Sequence, residues 1–368
     1  MIVHSLSLKN YRNYAALNLQ LSPNINILLG ANAQGKTNLI EAIYYASFGH
    51  SHRTRTDAEL ILWEEREGTL KIDFERIGVP NVLEFLFHRE KRRSILFNGH
   101  AIRPRELVGN LNTVLFSPED LLLVKGSPAG RRRFLDGEIS QASPSYYQEL
   151  LRYNKILVQR NTLLKRVRER KARPEMLEPW DIQLAESAER ITSKRLEAIK
   201  KLNMLANLMH RRISGNRENL SVSYEIHGRK PEEMTNDLKT WYNKKMEASR
   251  EQDVFRGSTG IGPHHDDMIL DVNGINLRSF GSQGQQRTGI LALKLAELEF
   301  LRSGTGEYPV LLLDDVMSEL DAARRKQLLD FIRRERIQTI VAATEEAYFP
   351  QESIGTCYDV REGTVSKR

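Results

Sequence analysis

An α/β P-loop fold interrupted by a helical insertion is what this sequence predicts, on three observations. The run GANAQGKT, residues 30–37, follows an apolar strand, INILL, and precedes an apolar helical run, NLIEAIYYASF. A second aliphatic strand, VLLLDD, residues 310–315, ends in two carboxylates. Between the two lie long stretches whose apolar residues recur at helical spacing.

The elements follow in order. IVHSLSL, INILL, LKIDFERI, NVLEFLF and SILFNG are short, β-rich and bounded by turn residues. Asn98-Gly99 predicts a tight hairpin turn, with HAIRP starting the return strand. After Pro118 the character changes. From 146 to 171 the residues Leu150, Leu151, Leu157, Leu164 and Val167 predict one helix. From 180 to 213, Ile182, Ala185, Ala188, Ile191, Leu202, Leu205 and Met209 predict a second, and Pro174 and Pro179 break the two apart. A strict heptad does not persist, so a helical hairpin packed on itself is expected, not a long intermolecular coiled coil. SVSYEI and a second Asn-Gly hairpin at Asn273-Gly274 restore strand character. A helix, PVLLLDD, another helix, TIVAAT and a hairpin around REGT close the chain. The division expected is an α/β head of residues 1–117 plus 257–368, with a mainly helical insertion of 118–256.

Composition narrows the class. The chain has 368 residues, 40% hydrophobic and 28% charged, which excludes a disordered protein. Its formal net charge of +7 is consistent with a polyanionic partner without demonstrating one. The single cysteine, Cys357, excludes an intrachain disulfide and fits a reducing compartment. The N-terminal MIVHSLSLKNYRNY lacks a basic segment followed by an apolar core, and no apolar run approaches the roughly 18 residues of a membrane span. A soluble, cytoplasmic protein with no membrane partner is expected.

GANAQGKT fits G-x-x-x-x-G-K-[ST], a loop whose backbone N–H groups wrap phosphate oxygens at a positive helix end. Gly30, Ala31, Asn32, Ala33, Gln34, Gly35, Lys36, Thr37 and Asn38 are the expected ATP cradle. Lys36 is expected on the β- and γ-phosphates and the Thr37 hydroxyl on Mg²⁺. Asp314 is the second expected metal ligand, and Asp315 the residue that positions or deprotonates the attacking water. An aliphatic strand ending in Asp-Asp is otherwise a plain helix cap. Its pairing with the P-loop favours the metal reading.

SFGSQGQQRTG, residues 279–289, stands directly before the apolar helical run ILALKLAELEFL. Ser282, Gly284 and Gln285 at a helix start make a second candidate anion site, although a Gly/Ser stretch is also an ordinary cap. Residues 281–285 resemble the signature motif of ABC-type ATPases, usually Leu-Ser-Gly-Gly-Gln. The resemblance implies an ABC-type head in which Ser282 of one subunit closes on the γ-phosphate held by the other. SELD, residues 318–321, resembles the D-loop of those enzymes. Thr344 stands where they usually place a switch histidine.

Taken together, LKNYRNY, LLGANAQGKTNLIEAI, SHRTR, FSPEDLLLVKGSPAGRRRFLD, GIGPHHDD, FGSQGQQRT and LLLDDVMSELD resemble the RecF family over nearly the whole chain. Chromosome-maintenance proteins have similar heads, with a far longer coiled-coil insertion. The resemblance implies a weak, DNA-stimulated ATPase that binds duplex and gapped or single-stranded DNA and dimerises on ATP. It also implies work with RecO and RecR in directing RecA loading at single-strand gaps, and support of replication and the SOS response. One departure is His265, where the family usually has Arg after the histidine of GPH.

The densest basic stretches are Arg131, Arg132 and Arg133; the segment 88–93 with Arg92 and Arg93; and 165–173. Each is equally a solvated face. No aromatic interleaving suggests base stacking, so contact mainly to phosphates is expected. Arg53 or Arg55 is placed to reach nucleotide or DNA, with no choice between them. Two other readings stay open: a P-loop small-molecule kinase with the helices as lid, and a nucleotide-stabilised scaffold without hydrolysis.

Overall fold

The computed structural model describes residues 1–233, 237–349 and 355–368. They group into two compact units, Met1–Asp120 with Glu297–Arg368, and Leu121–Ala296. The sequence division left the head at 117 and returned to it at 257, so the differences are residues 118–120 and, chiefly, the segment 257–296. Strand pairing accounts for it. Asp267–Val272 pairs antiparallel with Leu220–Glu225, and that strand packs on the long helix Glu178–Ile213.

The first unit holds two six-stranded sheets. One is antiparallel, in the order Tyr14–Gln20, Ile2–Tyr11, Glu67–Arg76, Val79–His88, Ser94–Phe97, His100–Ala101. The other runs Thr364–Lys367, Thr356–Arg361, Ile25–Leu29, Thr339–Ala343, Val310–Asp314, Thr113–Phe116. Its pairs are parallel except the terminal hairpin. INILL, VLLLD and TIVAA are buried at every position, as strands covered on both faces must be, which is why they read as mostly apolar runs; the buried Asn26 amide is hydrogen-bonded to the Ser22 carbonyl (2.8 Å). The helix Lys36–Phe48 shares one core with both sheets, setting Leu39, Ile43 and Tyr45 among Phe74, Phe85 and Phe87 on one side and Leu28, Leu312 and Ile340 on the other. Each such side chain contributes about 1.5–3 kcal/mol by leaving water. The P-loop helix is therefore anchored by apolar packing.

In the second unit the helices Pro128–Ala142, Pro144–Arg168, Glu178–Ile213 and Leu238–Arg256 accompany a three-stranded sheet. Pro179 lies within the first turn of Glu178–Ile213, where a missing N–H costs nothing, so it does not break that helix. Pro174 opens a short 3-10 turn instead. Leu151 and Ile182 are exposed, while Arg160 on the first long helix is fully buried. Its guanidinium donates to Asp181 (2.7 Å), Asp253 (2.8 Å) and Thr259 (2.7 Å), tying the two long helices to Leu238–Arg256. Both Asn-Gly turns adopt left-handed angles, with φ of 50° and 79° at Asn98-Gly99 and 51° and 78° at Asn273-Gly274, the signature of a two-residue hairpin.

Candidate functional site

The buried strand Ile25–Leu29 delivers the loop 30–35 to the helix that starts at Lys36. Two glycines are required there. A Cβ on Gly30 would lie 2.4 Å from the Val360 carbonyl oxygen. Gly35 has φ +115°, and a Cβ on it would meet Asn13 and Tyr14 at 2.7 Å. Only glycine meets both demands, conformational at Gly35 and steric at both.

Lys36 is almost fully buried, and its Nζ donates to the carbonyls of Gly30 (2.7 Å) and Ala31 (2.8 Å). Burial lowers its pKa; the nearby Asp315 and Asp314 carboxylates oppose that shift. The Thr37 hydroxyl donates to Asp314 Oδ1 at 2.9 Å, joining motifs 277 positions apart in sequence. Burial pushes the Asp314 carboxyl up to about 6; the Thr37 hydroxyl pulls it down and the Asp315 charge raises it. Asp315 follows with φ 52° at the start of the short helix Val316–Glu319, and its carbonyl accepts from the Ser318 hydroxyl (2.7 Å). Two hard oxygen donors at hydrogen-bond distance, one on a carboxylate starved of solvation, form a donor set suited to Mg²⁺. A cleft of about 570 Å³ opens beside the loop, lined by Gly30, Ala31 and Gln34 and by Thr344, Glu346 and Arg361.

Sequence reasoning missed the support behind this loop. The turn between the first two strands packs its side chains against the P-loop. Asn13 donates to the Gln34 carbonyl (3.1 Å) and accepts from Asn38 (2.8 Å), and the Tyr14 hydroxyl donates to the Gly35 carbonyl (3.1 Å). Arg12 forms a two-pronged pair with Glu41, whose carboxylate on the P-loop helix is fully buried (2.8 and 2.6 Å). The signal was present, since a polar Glu in the apolar run NLIEAIYYASF needs a buried cation. Of the two candidate arginines, Arg53 donates to Asn38 Oδ1 at 2.8 Å, next to Thr37, and lies 3.6 Å from Glu41.

Ser282 is exposed at the start of the helix Gln283–Thr305. It forms a reciprocal cap with Gln285: the Gln285 N–H donates to Ser282 Oγ (3.2 Å), and the Ser282 N–H to Gln285 Oε1 (3.0 Å). Gln285 Nε2 also donates to Glu218 (2.8 Å). Gly284 is exposed in the first turn.

The basic positions divide. Arg131 is buried, paired two-pronged with Asp267 (2.7 and 2.8 Å) and donating to the Leu123 and Gly126 carbonyls. The expected DNA contact at Arg131 is corrected: its guanidinium is committed inside the second unit. Arg93 is likewise engaged, with Asp57 at 2.6 Å and the Tyr45 ring at 5.4 Å. Arg132 donates to the Asp266 carbonyl (2.7 Å), whereas Arg133 and Arg92 are exposed. His265 is exposed, its Nε2 donating to the Thr259 carbonyl (3.1 Å).

Residues 2–365 match the family described as the RecF/RecN/SMC N terminal domain. The chain is 45% identical over 346 residues to the DNA replication and repair protein RecF of Alkaliphilus oremlandii, covering 94% of this chain and 93% of that one. It is 42% identical over 370 residues to RecF of Heliobacterium modesticaldum, covering 100% and 99%. The fold superposes on a structure described as the recombination mediator protein RecF-ATP in the RecFOR pathway with a TM-score of 0.91 and 34% identity, covering 100% and 97%. The Smc head domain of Pyrococcus furiosus, at a TM-score of 0.58 and 16% identity, shares the fold alone.

Proposed function

The chain belongs to the RecF family of DNA replication and repair proteins, with an ABC-type ATPase head, and we propose that it is a weak ATPase whose nucleotide gates its own dimerisation on DNA. The observation that carries this reading is the 2.9 Å bond between Thr37 and Asp314, with Lys36 folded over the loop beside it. Bound triphosphate offers Lys36 Nζ better acceptors than the Gly30 and Ala31 carbonyls, so the lysine turns onto the β- and γ-phosphates. Thr37 and Asp314 would hold Mg²⁺, which would supply charge neutralisation on the phosphates. Burial disfavours the charge on the Asp314 carboxylate, a cost that a cation held there would offset. Asp315 orients the attacking water. Asn38 and Arg53 line the same edge of the cradle and orient the nucleotide.

One chain holds one P-loop, and Ser282 and Gly284 face solvent at a helix start. The reading gives them the γ-phosphate of a second copy, as the likeness to the ABC signature implies. A small-molecule kinase leaves both residues without a task, and a passive scaffold leaves Asp315 without one. RecO and RecR are the proposed partners, because a relative of this fold is described as a recombination mediator in the RecFOR pathway, and RecA loading at gapped DNA is the proposed outcome that the family resemblance implies.

Nucleotide binding and turnover, measured separately, test the assignment. Lys36→Met abolishes ATP binding. Ser282→Arg leaves binding by the isolated chain within about twofold and stops hydrolysis, by breaking the contact that a second copy makes on the γ-phosphate. Equal turnover in wild type and the Ser282 variant contradicts the trans-acting role.

A further inference from the structure

Of the three basic stretches in the sequence, the fold commits most of two to internal contacts. Arg131 is paired with Asp267 and Arg132 donates to a backbone carbonyl, which leaves Arg133. Within 88–93, Arg89 donates to the carbonyls of Glu65 (2.6 Å) and Leu62 (3.2 Å), and Arg93 is held by Asp57. The third stretch, KRVRERKAR at 165–173, keeps its charge. Its six cations and one carboxylate account for five of the chain's seven net positive charges. Lys165, Arg166, Arg170 and Arg173 are exposed and make no ion pair among the described residues, and Lys171 meets only Glu169 (2.8 Å). The helix Leu238–Arg256 ends at the same place, where the Arg168 guanidinium donates to the carbonyl of the exposed Arg256 (3.3 Å). With Glu175, Glu178 and Glu251 on the adjoining turns counted beside Glu169, four exposed carboxylates stand against seven cations.

Helix chemistry explains only part of this. Cations in the last turn complement the helix dipole, which accounts for Lys165, Arg166 and Arg168. That effect fades beyond the helix end, where Arg170, Lys171 and Arg173 lie. The helix closes in a Schellman turn, the Lys171 N–H donating to the Arg166 carbonyl (2.8 Å) and the Arg170 N–H to the Val167 carbonyl (2.9 Å). The left-handed position of that turn favours glycine, yet Arg170 fills it at φ 60°. An arginine there gives up local stability for a charge at the tip, which points to function. Behind the turn, Leu163, Leu164, Val167 and Leu177 form a separate small core with Ala172, Trp180 and Val254 packed against it, so the backbone that carries the cations is anchored. We infer that this end of the helical unit holds the phosphate backbone of DNA. One exposed ring, Phe255, stands among the cations, with no row of aromatics to stack splayed bases, so duplex phosphates are the ligand that fits. The inference rests on the proposed action on DNA and gives that action a surface other than Arg131, Arg132 and Arg133.

The test uses the full-length chain with ATP and magnesium, a labelled duplex as the probe, and fluorescence anisotropy across a salt series. Arg170→Ala, Lys171→Ala and Arg173→Ala combined are expected to weaken binding at least tenfold at low salt. They also lower the slope of log affinity against log salt by about 2–3, the share of three phosphate contacts. Arg170→Gly alone is expected to lower that slope by about one while its thermal midpoint stays equal to wild type or rises. Misfolding cannot produce that pair of changes. ATP binding stays unchanged in both variants. Wild-type affinity and slope in the triple variant overturn this surface and leave the action on DNA standing. Failure of the wild-type chain to bind the duplex removes both. A loss of affinity that is the same at every salt concentration overturns the phosphate contact, as does a loss of self-association with duplex binding intact.

Discussion

His264 and Arg131 show how far a side chain's chemistry is set by what surrounds it. The His264 ring accepts from the Tyr153 hydroxyl at Nδ1 (2.5 Å) and donates from Nε2 to the Thr259 carbonyl (3.2 Å), which fixes one neutral tautomer. Burial, then the neighbouring His265, and lesser repulsion from Arg132 and Arg195, lower its pKa to about 3. The unfolded chain takes up this proton near the ordinary value of 6.5, while the folded chain refuses it until about pH 3. Stability from this group is therefore complete above pH 6.5 and is lost as the pH falls toward 3, by at most about 1.4 kcal/mol per pH unit. Urea denaturation between pH 7 and 4 checks it: His264→Gln flattens the acid limb relative to wild type. The loop of the candidate site was legible residue by residue, because a P-loop must spell its glycines, lysine and hydroxyl in a fixed order. Arg131 was not. A run of three arginines reads alike whether it faces water or a buried Asp267, and only tertiary packing separates the cases.

At the scale of elements, the helix Pro128–Ala142 carries two kinds of arginine on one stretch. Arg131→Ala leaves Asp267 unpaired and destabilises the fold by roughly 3 kcal/mol, read as a lowered denaturation midpoint. Arg133→Ala leaves stability within about 0.5 kcal/mol and, if this face meets DNA, lowers the salt dependence of binding by about one ion. A salt series on both variants distinguishes a structural from a phosphate-contacting arginine. Strands were legible where they are buried on both faces, since INILL and VLLLD are almost wholly aliphatic. The edge strands Tyr14–Gln20 and Thr113–Phe116 were not, the first because its outward positions alternate with polar residues, the second because four residues carry too short a pattern. The long helices were found, yet their inward faces were misassigned at Leu151 and Ile182. Ion pairs such as Arg160 with Asp181 and Asp253 occupy part of the interior that apolar periodicity reserved for aliphatic side chains.

For the whole molecule, the sequence order of motifs and the grouping of residues part company at one place. The Ser282 stretch belongs by chain position to the return toward the acidic strand. By packing it belongs to the unit Leu121–Ala296, because the strand Asp267–Val272 draws the intervening chain onto the helices. Strand pairing at a distance leaves no local trace, so the boundary was beyond the reach of composition and periodicity. The P-loop and its acidic strand lie in one unit and the signature stretch begins in the other. The central claim is that the two kinds of site meet only between copies, across the triphosphate. Light scattering on the Asp315→Asn chain, with saturating ATP and magnesium, tests it most directly. A mass near 85 kDa, twice the 42.4 kDa of one chain, which falls to the single value when Ser282→Arg is added, is the predicted result. One chain's mass in both proteins, with duplex DNA present as well, contradicts it.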